Sequence, residues 1–366
     1  MRPFPFAPLL IVPTLLTACP APGKDRPADS EPEDSTDTAG EDSADSGESG
    51  ESAEETDTSG ESDSETGESG ESDTGAESGG DTETGTVDSG PVEGPWATIS
   101  VSYAGCALNA AGGLSCFADG NEDLDVEPPP WGPYLDVDVG DGSETCTIDS
   151  MGAAACVLEP EVTDWCGLVD AYPDPLVSLS AGGTGVCGLQ ADGTPVCWGC
   201  DPIVSDTPRA RGFVAISTGY DHVCAISGDG TIECWGEGGT HGELSPPAGN
   251  YVDLSVGSAS ACAVAVGGSV SCWGDVQDNL IEEVPIEPVS KVALHRDWAC
   301  AILLDGELTC WGVGIGYYPV DWESITLPRG PFVDLAVGHI IACGLREDGT
   351  LACFTEYGEP FTDGVP

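Results

Sequence analysis

Positive charge is what this 366-residue sequence has least of: nine lysines and arginines stand against 65 aspartates and glutamates, a formal net charge of -56. A chain this acidic repels phosphate, which argues against nucleic acid as a partner. It also repels anionic headgroups, so no basic patch can hold it on a membrane. Basic proteins and cations stay open as partners, and charge of this size also serves solubility. Long apolar runs are scarce as well: the stretch from Phe4 to Leu16 is too short to span a bilayer. The usual catalytic signatures are missing. There is no Gly-x-Ser-x-Gly, no His-Glu-x-x-His, no Gly-rich phosphate loop and no dinucleotide fingerprint. On this reading the chain is not an enzyme and needs no cofactor or metal.

The N-terminal end has a positive residue, Arg2, followed by the apolar stretch and then Leu16-Thr17-Ala18-Cys19. The last four resemble the lipobox of bacterial lipoproteins. The resemblance implies a signal peptide over 1–18, cleavage before Cys19, and lipidation of Cys19, with several acyl chains anchoring stably where one would not. Residues 20–95 then hold 25 acidic residues against Lys24 and Arg26, with low-complexity words such as SGESGES. Such a stretch buries too little apolar surface to offset its chain entropy. We read 19–95 as the lipidated Cys and a disordered acidic linker that lifts a folded domain, 96–366, off a membrane. The expected address is export, with lipid anchoring in the bacterial cell envelope at the outer membrane or cell surface.

The domain itself is revealed by cysteine spacing. After Cys19, fourteen of the sixteen cysteines form pairs ten positions apart. They are Cys106 with Cys116, Cys146 with Cys156, Cys187 with Cys197, Cys224 with Cys234, Cys262 with Cys272, Cys300 with Cys310, and Cys343 with Cys353. Six positions after each first Cys is a glycine: Gly112, Gly152, Gly193, Gly230, Gly268, Gly306 or Gly349. In Cys224-Ala-Ile-Ser-Gly-Asp-Gly230-Thr-Ile-Glu-Cys234 a turn centred on Asp229 sets the two cysteines opposite each other on antiparallel strands. The glycine supplies the left-handed residue such a turn needs. Opposed residues in a non-hydrogen-bonded pair lie close enough for a disulfide. Zinc ligands sit closer together in sequence than ten residues, and an exported chain keeps its disulfides. Cys166 and Cys200 are left over, an even remainder that predicts one extra bridge between neighbouring repeats.

Trp198, Trp235, Trp273 and Trp311 each follow the second Cys of a pair, with Phe117 and Phe354 in two other repeats. Side chains alternate across a strand, so each aromatic points to the face opposite its disulfide. Both faces of each small sheet are therefore apolar. A further strand precedes every hairpin, as at Phe213–Ile216 and Val252–Val256. The predicted fold is all-β: a seven-bladed β-propeller with one hairpin disulfide per blade, closed so that sheet edges vanish.

The strings Ile216-Ser-Thr-Gly-Tyr-Asp-His222-Val-Cys-Ala-Ile and Asp229-Gly230-Thr-Ile-Glu-Cys-Trp-Gly236 resemble the repeat of the regulator of chromosome condensation family. Gly182 through Gly199 and Gly338 through Phe354 follow the same pattern. Repeats one and two depart from it; Val157-Leu158 stands where Trp-Gly is expected, and Gly239-Thr-His241-Gly242-Glu243-Leu244 is the best trace of the family's next segment. The resemblance implies a seven-bladed propeller. The family's nuclear exchange role does not suit an exported acidic chain; secreted propellers that resemble the repeat and bind an enzyme through loops on one face suit it better.

Loops between first and second strands share one face. There Tyr103, Tyr220, His295, Arg296, Asp297 and Trp298 are the candidate binding residues, since aromatics and Arg on a rim are typical anchors. His222 and His339 occupy positions that the repeat fills with His for structural hydrogen bonds. Asp119 to Asp125 has oxygen ligands at alternate positions, as a calcium loop would, but lacks the central Gly and final Glu of an EF-hand, so we read it as a solvated acidic loop. The expected function is a lipid-anchored binding module, monomeric, engaging an unknown protein or glycan through this loop face. The alternatives are an exported lyase or hydrolase with a central acidic site, or a structural envelope protein.

Overall fold

The computed structural model describes residues 94–118, 132–141, 144–158, 164, 167–168, 172–200, 202–275, 284–296, 298–314, 318–362 and 365–366. The signal peptide, Cys19, the linker to residue 93, the Asp119–Asp125 loop, Cys166 and Asp297 lie outside them. The chain divides into Met1–Thr82 and Glu83–Pro366, and every described element belongs to the second unit.

That unit is seven antiparallel sheets of three or four strands, each from one continuous stretch of chain. The inner strands are Trp96–Val101, Tyr134–Val139, Leu176–Ala181, Phe213–Thr218, Tyr251–Val256, Val289–His295 and Phe332–Val337. Each pairs with a middle strand, which carries the first Cys, and that strand pairs with an outer strand carrying the second. Blades six and seven add short fourth strands, Tyr318–Pro319 and Pro360–Phe361. Inner strands of successive blades lie side by side, and blade one lies against blade seven, so the ring closes without exchanging a strand. Among the described residues no helix is long and apolar enough to cross a membrane.

The seven hairpin bridges form with the expected register. Cys106 is bonded to Cys116, Cys146 to Cys156, Cys187 to Cys197 and Cys224 to Cys234. Cys262 is bonded to Cys272, Cys300 to Cys310 and Cys343 to Cys353. In every pair the Cα atoms are 4.0–4.1 Å apart. Cys200 is disulfide-bonded as well. All seven turn glycines have φ between 75° and 90°, where a side chain would be strained. Their carbonyls have a second task. Each accepts the N–H of the first residue of the next inner strand, from Tyr134 on Gly112 (3.0 Å) around to Trp96 on Gly349 (3.0 Å). One residue thus shapes a turn and clamps the following blade.

Between blades the packing repeats a single contact. At six of the seven junctions the disulfide of one blade packs against the outer-strand aromatic of the next. Cys146 and Cys156 lie with Trp198, Cys187 and Cys197 with Trp235, and Cys224 and Cys234 with Trp273. Further round, Cys262 and Cys272 lie with Trp311, Cys300 and Cys310 with Phe354, and Cys343 and Cys353 with Phe117 across the closure. Sulfur against an aromatic ring is a favourable contact as well as a dry one. At the seventh junction, between blades one and two, Val157 takes the aromatic's place and Tyr134, Val137 and Val139 cover the Cys106–Cys116 bridge. The degenerate repeat seen in the sequence is a change of packing partner, and the ring survives it.

Candidate functional site at the loop mouth

The inner strands line a central channel with a cavity of about 210 Å³. Their fifth residues tie the blades together along it. Backbone N–H groups of Val139, Ala181, Thr218, Val256 and Leu294 donate to the side chains of Ser100, Asp138, Ser180, Ser217 and Ser255 on the preceding blade, at 2.8–3.0 Å. Blades six and seven carry Ala293 and Ala336 at this position. There Asp334 takes over: it pairs with Lys291 of blade six and accepts a bond from the Thr98 hydroxyl of blade one at 3.3 Å. Burial raises the carboxyl pKa of Asp136, to about 6, and those of Asp138 and Asp253. Burial works against the Lys291 charge, yet Asp334 and Asp253 beside it raise its pKa. The acidic centre anticipated as a catalytic alternative therefore exists. Asp136, Asp138 and Asp253 each accept a backbone N–H from the next blade, which is a structural use of the group.

At the loop face the channel mouth is bridged. His295, at the end of the blade-six inner strand, places Nε2 2.5 Å from Asp141 Oδ1 on blade two, three blades away around the ring. The Ser102 hydroxyl donates to the same oxygen at 2.8 Å, and Arg296 Nε lies 4.0 Å from the other. Burial alone would raise the Asp141 carboxyl; the His295 hydrogen bond and charge, with Ser102 and Arg296, bring it below the usual range. The Tyr103 ring lies over His339 at 4.6 Å and edge-on to His295 at 6.4 Å. Burial, then the positive groups His295 and Arg296, lower the His339 pKa. Arg296 has φ 48°, the one positive φ outside glycine among the described residues. Backbone strain of this kind is held by its surroundings and concentrates at functional sites.

The structure brings together Tyr103, His295 and Arg296 of the candidate residues, and adds His339, Asp141 and Ser102. Tyr220 is separate, exposed on blade four across the mouth. Trp298 needs correction: it is 2 % exposed, its indole N–H donates to the Gly338 carbonyl at 3.1 Å, and it stacks on Trp322 at 5.5 Å. Such a side chain is core and cannot anchor a ligand. The reason is legible in the spacing, because Trp298 lies two residues before Cys300 and so shares its sandwiched face. His295 is corrected in part, being buried as the link to Asp141 and no rim contact. His222 is fully buried, but the structural hydrogen bonds expected of it are not formed: neither ring nitrogen has a hydrogen-bond partner among the described residues, and Nδ1 lies 3.5 Å from Asp221 Oδ1. The paired cysteines take no part in either mouth: Cys156 and Cys272, like the rest, sit between blades among apolar side chains, so their role is structural. Asp141 and Ser102 were missed because hydrophilic loop residues look alike in sequence. The channel residues had a signal, the polar third and fifth positions of strands whose fourth and sixth are apolar, as in Asp136-Val-Asp138-Val.

The repeat model for the regulator of chromosome condensation matches residues 213–243, the span from the start of blade four through Glu243. Blade four therefore carries a regulator of chromosome condensation repeat, and the other six blades share its strand order. Glu243 closes the matched repeat: its carboxylate accepts N–H groups of Gly239 and His241, and its carbonyl accepts the Trp273 indole of blade five at 2.9 Å. Two solved structures share the fold at low identity. The CRINKLY WD40 ectodomain of the Arabidopsis thaliana receptor kinase ACR4 is 22 % identical with a TM-score of 0.59, over 74 % of this chain and 98 % of that one. The entire ectodomain of the Physcomitrella patens receptor kinase CR4 is also 22 % identical, with a TM-score of 0.58 over 71 % of this chain and 73 % of that one. No curated protein matches the chain. The resemblance read from the repeats and the seven-bladed fold are both present.

Proposed function

We propose that this protein is a displayed binding module: a rigid propeller held outside the cytosol by lipidated Cys19 and the acidic linker, engaging a partner protein, or a glycan, through its loop mouth. The carrying observation is the cluster of Tyr103, His339 and Arg296 fixed over the channel by the buried His295–Asp141 pair. A preorganised aromatic and guanidinium cluster binds without first being ordered. The hairpin disulfides support an oxidising compartment. Both similar structures above are ectodomains of receptor kinases, so the same fold serves outside a cell in those proteins. The channel carboxylates, engaged by neighbouring blades, favour this reading over a central hydrolase or lyase site.

The test is capture of partners from surface extracts of the source organism with the intact protein, followed by affinity measurement. Tyr103→Ala and Arg296→Ala should each weaken the captured interaction by about tenfold or more, with unchanged melting. Full affinity in both variants would remove the loop mouth as the site.

A further inference from the structure

The opposite mouth of the channel, on the hairpin face, carries an apolar ring that the loop-face cluster does not use. Every inner strand enters at this face, and in all seven the pairing register shifts between its first and third residues. Such a bulge leaves the second residue unpaired and re-aims its side chain. In five blades this residue is a branched aliphatic: Leu135, Val177, Val214, Val252 and Val333, each 55–66 % exposed. The first four fall on consecutive blades, two to five, and make a continuous arc; blades one and six have Ala97 and Ser290. Met151, Val266 and Leu304, exposed on hairpin turns, lie on the same face. Single exposed aliphatics are ordinary, but one equivalent position repeated around one opening forms a patch, and patches mark docking surfaces.

Behind this arc the hairpin half of the channel is short of positive charge. The third residues of the inner strands include Asp136, Asp253 and Asp334 against the single cation Lys291. Lys291 pairs with Asp334, while Asp136 and Asp253 accept backbone N–H groups. On the turns outside, Arg211 is held by Asp192 and Arg346 lies over the Phe332 ring. Among the described residues no basic side chain is within ion-pair distance of Asp229 or Asp305. An apolar arc around recessed carboxylates is complementary to aliphatic groups flanking a cation. A second copy of the chain would set acidic surface against acidic surface, and an anionic membrane is repelled for the same reason.

We propose that the hairpin mouth docks a basic, amphipathic segment of a partner protein, its apolar side chains on the Leu135–Val252 arc and a lysine or arginine directed at Asp136 and Asp253. This surface is independent of the loop-face reading, and a chain with both would hold two partners on opposite faces.

The test uses the full chain and a fluorescein-labelled peptide of alternating leucine and lysine, read by anisotropy. Replacing Val214 and Val252 together by Ser changes no charge and alters two side chains that are 66 % and 59 % exposed. This double variant should keep its melting temperature and bind the peptide about tenfold more weakly or worse. A serine–lysine peptide should bind wild type and variant alike and weakly, a leucine–glutamate peptide should not bind, and Tyr103→Ala should leave leucine–lysine binding intact. Equal affinity of wild type and the double variant would overturn the proposal, since attraction to acidic residues elsewhere would then suffice. So would Val214-dependent self-association, or Val214-dependent binding to phosphatidylcholine vesicles, in place of peptide binding.

Discussion

Asp136 shows what the channel demands of a single side chain. It must accept the Leu179 N–H at 3.1 Å to join blades two and three, and it does so from a buried position beside Asp138 and Asp334. Burial raises its folded-state pKa to about 6, above the ordinary value of 3.8. The folded ring therefore holds a proton that the unfolded chain has released across that interval. Its contribution to stability is complete below the unfolded value and is lost as pH rises through about 6. We expect wild type to gain on Asp136→Asn by on the order of 2 kcal/mol between pH 7 and pH 4. Urea denaturation at both pH values checks it, and a constant difference between the two proteins would show the carboxyl to be unperturbed. Asp138 and Asp253 shift in the same direction and remain in both proteins, so the difference reads Asp136 together with its charge coupling to Asp138. At this scale the sequence was partly readable. Alternation announced that Asp136 and Asp138 share one side of a strand, but which blade each would bond to is a property of the closed ring. Trp298 was misassigned by weighing its departure from the repeat above its phase with Cys300.

The blade was the most legible element. Cysteine spacing, the turn glycine and the following aromatic together gave strand pairing, turn type and the two apolar faces, because all three are consequences of local geometry. Junctions between blades were less so, since they join residues about forty positions apart. The double task of the turn glycine, and the seating of each disulfide on the next blade's aromatic, appear only when the blades are side by side. These contacts should dominate the energetics. Trp235→Ala opens a cavity against Cys187–Cys197 and should cost about 3–5 kcal/mol, whereas Val157→Ala at the junction without an aromatic should cost about 1 kcal/mol. Denaturant titration of both variants measures the contrast. Equal costs would mean that the aromatic seat is not what holds successive blades together.

For the whole molecule, charge and covalent staples divide the work. Forty of the 65 acidic residues follow residue 95, where only six basic residues occur, so self-repulsion opposes compaction. Each hairpin bridge closes a short loop and limits the unfolded ensemble, an effect of about 2–3 kcal/mol apiece in the chain-entropy model. Closure of blade one on blade seven by the Trp96–Gly349 bond, the Phe117 seat and the Asp334–Thr98 contact leaves the ring without a free blade edge. A rigid ring then presents two differently built mouths, polar and aromatic on the loop face, aliphatic on the hairpin face. Both functional proposals require that ring. The most direct measurement is disulfide mapping of the intact protein, by alkylation under denaturing conditions without reduction followed by peptide mass analysis. The account predicts seven bridges between cysteines ten positions apart and no alkylated thiol among them. Free thiols at these fourteen positions, or bridges pairing these fourteen cysteines across different blades, would contradict it.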